Sequence, residues 1–277
     1  KTRRLMAKTL QVWNSASAPA IDPHFVFDPE ILYDLTLSVR RGDKVWLFGP
    51  KGTGKTSLAT QFAARTGRDF VRVAFDAHTE PQDVIGATWP AAGGGHVWKD
   101  GKLLAAMRKP GCAILLDEPT VSRPGTLALL QTTLDENYIV VGETGERVDV
   151  APGVVWIVAD NTNGTGDQTG LYAGTQMQNR AFLDRFGAHI AVDYLPADKE
   201  AQALVSRSGC VPAMADILVN FARLSRQKTA GGELVDGVGF RRLVAMAGRM
   251  VDGCDPERAF TVSVLNCAPP EDVATLK

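Results

Sequence analysis

The chain has 277 residues, 45% of them hydrophobic, which can bury a full core and suits one large domain with a smaller satellite better than a single unit. Its 30 Lys plus Arg nearly balance 31 Asp plus Glu, removing the simplest argument for a chain-wide nucleic-acid or anionic-membrane surface. No apolar run approaches the roughly 18 residues of a membrane span, and Cys112, Cys210, Cys254 and Cys267 are scattered without a CxxC pair or clustered His; neither a zinc site nor a disulfide framework is expected, and reduced thiols in the cytoplasm are.

Along the chain, residues 1–24 read as an N-terminal extension in which Ser15 to Pro19 forms a flexible link. Apolar runs bounded by Gly, Pro and Asp recur at Val45 to Phe48, Phe70 to Phe75, Cys112 to Leu116, Val154 to Ala159 and Ala188 to Val192. Short and rich in β-branched or aromatic residues, they predict strands covered on both faces. Between them lie helix-like stretches at Thr56 to Ala64, with Leu58, Phe62 and Ala63 at helical spacing, and at Leu127 to Leu134. That alternation predicts an α/β core over residues 25–195, a parallel sheet flanked by helices. After Tyr194 the pattern is helical only: it starts near Pro196-Ala197-Asp198 and passes through Ala213 to Leu224, Phe240 to Val251 and Pro256 to Leu265, with Lys228 to Gly239 as a loop. Residues 196–277 are therefore expected to form a small all-α domain.

The chemistry-bearing residues follow three of the predicted strands. Directly after Val45 to Phe48 comes Gly49-Pro50-Lys51-Gly52-Thr53-Gly54-Lys55-Thr56-Ser57, which satisfies G-x-x-x-x-G-K-[ST] in the strand-to-helix setting that the pattern needs. Its glycines let backbone N–H groups curl around phosphate oxygens, the new helix contributes its positive end, Lys55 reaches the outer phosphates, and the Thr56 hydroxyl suits Mg²⁺. Lys51 holds no fixed position of the motif and is expected to be solvated. The second strand, Ala113 to Leu116, ends in Asp117 and Glu118. Paired carboxylates at the tip of a buried strand cost several kcal/mol unless a cation compensates; beside a phosphate loop, Asp117 is expected to hold the Mg²⁺ shell and Glu118 to polarise the attacking water. The bland alternative is two acids capping the next helix. The third, Val155 to Ala159, ends in Asp160 and Asn161, where a side-chain amide could hydrogen-bond a terminal phosphate or serve only as a turn residue.

Leu115-Leu116-Asp117-Glu118-Pro119-Thr120 also looks like the equivalent motif of ABC transporter ATPases. The LSGGQ-type signature those proteins carry is replaced here by Gly93-Gly94-Gly95-His96-Val97-Trp98, and the interval before the acidic strand leaves no room for their helical subdomain.

The stretch from Asp160 through Asn161-Thr162-Asn163-Gly164-Thr165-Gly166 and on to Gln176 and Asn179, followed by Leu183-Asp184-Arg185-Phe186, resembles the MoxR branch of AAA+ ATPases. Within it the chain is most similar to the CobS subunit of aerobic cobaltochelatase and to the CbbQ and NorQ activators, from about Phe25 to Val192 and more weakly beyond. The resemblance implies a P-loop AAA+ core with a helical lid, ATP and Mg²⁺ as ligands, and Asn161 as sensor 1. It implies Arg185 as the arginine finger entering a neighbouring subunit, with Arg180 a competing candidate and a surface ion pair the bland reading. Arg241, within Gly239-Phe240-Arg241-Arg242, corresponds to sensor 2, although family members more often have Ser-Pro-Arg there, which leaves Arg242 open. An insertion near residues 83–102 including Trp89, Trp98 and Lys99, whose aromatic or basic side chains could grip a partner, and a hairpin near 138–150 before sensor 1 are also implied. Trp98 could instead merely pack beneath the hairpin.

The resemblance further implies an ATPase acting at the subunit interfaces of a homo-oligomeric, hexameric ring on a partner protein with a von Willebrand A-type domain, either remodelling it or driving metal insertion. A nucleic-acid motor is disfavoured by the charge balance. A nucleotide-gated binding module with little turnover is disfavoured by the presence of Glu118, Asn161 and Arg185.

Overall fold

Two factors shape the core sheet: continuous apolar runs, and crossovers long enough for helices. The computed structural model describes residues 10–167 and 174–277. After helix α1 (Pro29–Arg41) come β1 (Val45–Phe48), α2 (Lys55–Arg65), β2 (Phe70–Ala74), α3 (Pro81–Ile85), β3 (Gly86–Pro90), β4 (His96–Asp100), α4 (Lys102–Met107) and β5 (Ala113–Asp117). Next are α5 (Pro124–Glu136), β6 (Tyr138–Val140), β7 (Arg147–Asp149), β8 (Val155–Asp160), α6 (Arg180–Leu183) and β9 (Ala188–Ala191). The main sheet has the order β2-β5-β8-β1-β9 and is parallel throughout. Every residue of its central strands β5 and β8 is buried, Asp117 and Asp160 included. In register, Phe48 lies opposite Asp160 and Asp117 opposite Ala159, so the carboxyl ends of β1, β5 and β8 are level. Open α/β sheets present ligand-binding groups at such carboxyl ends.

The predicted strands are found with ends shifted by at most a residue or two, but other parts of the reading need correction. Ser15 to Pro19 does not start as a flexible link. The Trp13 and Ser15 N–H groups donate to Thr66 O at 2.8 Å and Gly67 O at 2.9 Å, and the Ser15 hydroxyl reaches Asp69 at 2.5 Å. The Trp13 ring fills the space where a Cβ on Gly111 would stand, 2.2 Å away, so that indole pins the segment. The unanticipated α1 opens with Pro29, whose fixed φ and missing N–H suit a first helical turn, and buries Leu35.

The insertion is a two-stranded antiparallel hairpin, β3 with β4, and β6 with β7 forms a second. Trp98 is not presented for gripping: it is partly buried against the core, and its indole N–H donates to Asp100 at 2.8 Å. Register alternation puts Trp89 on the surface instead, 54% exposed, with the Lys99 ammonium 5.5 Å from its ring. Arg108, just past α4, joins the two hairpins. Its Nε donates to Asp100 at 2.8 Å, and its two terminal nitrogens grip both oxygens of Glu146 at 2.8 and 2.9 Å.

The chain divides into two compact units that are not colinear with the sequence. The α/β unit holds residues up to Ile21, Pro29–Gly49 and Lys55–Val192; the second holds Asp22–Asp28, Pro50–Gly54 and Asp193–Lys277. The second unit contains α7 (Ala197–Ser208), α8 (Pro212–Ala230), α9 (Phe240–Val251), α10 (Pro256–Ser263) and α11 (Val273–Leu276) around Leu204, Ala215, Val219, Leu243 and Ala247. Helix α8 runs into the segment read as a loop and stops at Gly231. A buried ion pair lies within this unit: Arg226 meets both oxygens of Glu200 at 2.9 and 2.7 Å, and Glu200 is only 1% exposed.

Burial separates the four thiols. Desolvation pushes the Cys112 thiol up to about 12, so at pH 8 it remains protonated as well as enclosed, and Cys210 is also buried, whereas Cys267 is exposed. Native protein treated with a thiol reagent at pH 8 is expected to label at Cys267 first, with Cys112 reacting only after denaturation; rapid native labelling of Cys112, read by peptide mass spectrometry, would contradict this packing.

Candidate active site

The loop after β1 is shaped by what surrounds its first glycine. Gly49 has φ +146°, and a Cβ there would lie 2.2 Å from the Val192 carbonyl oxygen, so only glycine fits. Gly52 and Gly54 are both left-handed, with φ of +83° and +92°, and the chain curls through them into α2 at Lys55. Thr53 steadies the curl by donating to Pro50 O at 3.1 Å.

Lys55 is buried at the head of α2. Its ammonium donates to Gly49 O at 2.7 Å and to the Asn161 side-chain oxygen at 3.3 Å. Burial pulls its pKa down to about 8, against the opposing pull of Asp160, Glu118 and Asp117. The same Asn161 amide donates from its nitrogen to Glu118 Oε1 at 3.0 Å, so one side chain bridges the lysine and the exposed carboxylate. Glu118 adopts a left-handed φ of 53°, and its N–H donates to Ala159 O at 2.8 Å on the neighbouring strand. A non-glycine residue in that region carries strain of order 1 kcal/mol, and here the strand pairing holds it.

Asp117 presents its two oxygens differently. Oδ1 faces the Thr56 hydroxyl at 3.5 Å, while Oδ2 is paired with the Arg72 guanidinium of β2. Burial raises its pKa and Arg72 is the strongest influence in the other direction. A hydroxyl and a carboxylate oxygen at this separation are hard donors of the kind Mg²⁺ takes, so the residues present fit that ion. Among the described residues no cluster of three or more His, Cys, Asp or Glu side chains suggests a different metal site. Sequence reasoning missed Arg72, although its signal was legible: one charged residue inside the apolar run Phe70 to Phe75. It also gave no role to Asp160, which is buried and accepts from the Thr120 hydroxyl at 2.7 Å, the Thr120 N–H at 3.3 Å and the Thr162 N–H at 3.1 Å.

Trp46 ties this segment to the last helix of the unit. Its indole N–H donates to Thr162 O at 3.2 Å, and its ring meets Phe182 of α6 edge-on at 6.1 Å and Phe186, just past that helix, at 5.0 Å. Arg185 lies outside the Lys55 network. Its Nε and Nη2 hold Asp135 of α5 at 2.8 and 2.6 Å, and Nη1 donates to Ala181 O. The surface ion pair that was the bland reading of Arg185 is thus present, made with Asp135. Arg180 is exposed at the start of α6, with no ion pair among the described residues. In the helical unit Arg242 is engaged, with Asp236 at 2.8 Å and Cys267 O at 3.2 Å, whereas Arg241 is exposed on the first turn of α9 without an ion pair among the described residues. Ser57 is exposed, as is Lys51. Residues 168–173, part of the segment that carried the resemblance, lie outside the described residues.

The structure thus gathers Lys55, Thr56, Asp117, Glu118 and Asn161 at three strand tips, an arrangement able to hold a polyphosphate, a hard cation and a polarised water. The chain matches the AAA domain family (dynein-related subfamily) over residues 44–186 and the CbbQ/NirQ/NorQ C-terminal family over residues 200–276. It is 29% identical to the aerobic cobaltochelatase subunit CobS of a Sinorhizobium species over 260 residues, 91% of this chain and 78% of that protein. It is 30% identical to protein NorQ of Paracoccus denitrificans over 234 residues, 84% of this chain and 82% of that one. Among solved structures it resembles the Thermotoga maritima RuvB Holliday junction branch migration motor, with a TM-score of 0.52 over 88% of this chain and 69% of that chain. At 15% identity that likeness shows the fold alone.

Replacing Thr120 with Val removes a hydroxyl donor from the buried Asp160 carboxylate while keeping shape. A buried polar group losing one partner costs about 1–3 kcal/mol, and the variant is expected to lose about that much stability in urea unfolding at pH 7; an unchanged midpoint would show that Asp160 does not depend on this contact.

Proposed function

This chain is a MoxR-type AAA+ ATPase, belonging to the dynein-related subfamily of AAA domains, and from that premise we propose that it hydrolyses Mg-ATP between subunits of a homo-oligomeric ring to act mechanically on a partner protein. The observation that carries this reading is the Asn161 amide, hydrogen-bonded on one side to Lys55 and on the other to Glu118. One side chain thereby touches both a phosphate-binding cation and a carboxylate suited to activate water, so a change at either end is felt at the other.

In this reading Lys55 and the loop amides of residues 49–56 bind the phosphates. Glu118 draws the proton of the attacking water, and Asn161 keeps its carboxylate aimed while sensing the terminal phosphate. Thr56 and Asp117 would hold magnesium, which when bound supplies charge neutralisation for the phosphoryl oxygens. Arg185, just past α6, is the finger proposed for the next subunit, which it would reach by leaving Asp135, and Arg241 is the sensor from the lid, since Arg242 is engaged with Asp236. Closed cyclic symmetry, a hexamer by family precedent, then gives each site its finger.

The helical lid of residues 196–277 would move against the core of residues 25–195 during the cycle. The relatives named CobS and NorQ support a client protein, proposed to carry a von Willebrand A-type domain, which is either remodelled or helped to insert a metal. No helix among the described residues is long and apolar enough to cross a membrane, and the proposed setting is the cytoplasm.

Three substitutions separate the roles. Lys55→Ala is expected to abolish detectable nucleotide binding. Glu118→Gln is expected to bind ATP normally but slow turnover by about 10²–10⁴-fold. Arg185→Ala is expected to cut turnover by about 10³-fold while leaving binding intact, and to regain activity when mixed with Lys55→Ala subunits that still carry the finger. Phosphate release by Glu118→Gln at the wild-type rate, or full turnover by isolated monomers, would refute the assignment.

A further inference from the structure

The tip of the phosphate loop, Pro50–Gly54, groups with the helical unit, and within that unit one side chain holds it. The Tyr194 hydroxyl donates to the Lys51 carbonyl oxygen at 2.9 Å. Lys51 itself is exposed and its side chain has no part in this contact. We propose that Tyr194 is a positioning residue for nucleotide binding, acting by fixing the orientation of the Lys51–Gly52 peptide; the proposal rests on the reading of residues 49–56 as the phosphate-binding loop.

The argument is one of peptide geometry. Among the described residues there are no cis peptide bonds, and in a planar trans peptide the C=O and the N–H point in opposite directions. With the Lys51 carbonyl turned toward Tyr194, the Gly52 N–H is turned away from it, and in the proposed role it is this donor that meets a phosphate oxygen. Gly52 has φ +83°, a region that offers little steric resistance to a glycine peptide flipping over. Without an anchor this donor would be free to face either way. The hydrogen bond selects one orientation before nucleotide arrives, which is a saving in ordering on binding.

Tyr194 can act as an anchor because it is itself immobilised. Its ring lies against the Arg226 guanidinium, whose central carbon is 3.5 Å from the ring centroid. Arg226 is fixed at all three nitrogens, with both oxygens of the buried Glu200 and with Val238 O at 2.8 Å. The phenol thus sits on a cation that cannot swing away. Gly239, at the N-cap of α9, approaches the same loop peptide, since a Cβ built on it would stand 3.6 Å from Lys51 O and 3.9 Å from Gly52 Cα.

Tyr194→Phe deletes the donor and keeps the ring over Arg226. Binding of a fluorescent ADP analogue to the full chain is measured for wild type, Tyr194→Phe and Lys55→Ala, together with thermal midpoints. Tyr194→Phe is expected to weaken Kd about fivefold, the contribution of one neutral hydrogen bond, with an unchanged midpoint and faster exchange of the loop amides of residues 50–54 in hydrogen–deuterium exchange. Wild-type affinity in Tyr194→Phe while Lys55→Ala has lost binding overturns the proposal and leaves the loop assignment standing. A midpoint that falls together with affinity also overturns it, since the tyrosine would then be a packing residue. Undiminished binding by Lys55→Ala overturns the loop assignment itself.

Discussion

A buried ammonium group is the constraint around which the α/β unit is arranged. Lys55 is withdrawn from water at the head of α2, and burial alone would favour its neutral form. It remains useful as a cation because the tips of β5 and β8 supply Asp117, Glu118 and Asp160 nearby. Those carboxylates are in turn tolerated because each has a cation or donors: Arg72 for Asp117, Thr120 and Thr162 for Asp160, and Asn161 for Glu118. Removing one group from such a set leaves its neighbours desolvated and uncompensated, which is why polar networks at strand ends stand or fall together. The level register of the strands makes this possible, since a slip of one residue would send Asp117 or Asp160 to the opposite face.

Much of this arrangement is legible in the sequence. Strands buried on both faces are written as uninterrupted apolar runs, and the acids and amide that close β5 and β8 stand out against them. What could not be read were consequences of contact between distant segments. Nothing local in Ser15 to Pro19 announces that Trp13 and Ser15 will hydrogen-bond to the end of α2, and a Ser-Ala-Pro stretch reads as a link by composition alone. Trp89 and Trp98 look equivalent in the sequence. Pairing Trp89 with Val97, and Trp98 with Thr88, decides which ring turns outward, and that register belongs to the hairpin rather than to either residue. The resemblance favours Arg241 over Arg242, and nothing in the sequence announces that Asp236 engages Arg242.

Arg72 and Tyr194 teach a different lesson. Neither belongs to a phosphate-binding pattern, yet one occupies an oxygen of Asp117 and the other holds a carbonyl of the loop. Motifs record the atoms that face a ligand, and the groups that aim those atoms are spread through other elements where spacing rules do not reach. A buried pair such as Arg226 with Glu200 is weak evidence for stability, since charges are costly to desolvate. Its rigidity is better evidence for a role in holding something else still.

The Arg108 joint between the two hairpins has a mechanical corollary. Its guanidinium is bonded to Asp100 at the base of one hairpin and in a two-point grip to Glu146, beside the turn of the other, so one exposed side chain ties the two ribbons. Ion pairs this open to water contribute about 0–1 kcal/mol each, enough to bias the two ribbons toward one arrangement. Losing the Arg108 side chain would therefore free both ribbons from that arrangement at once.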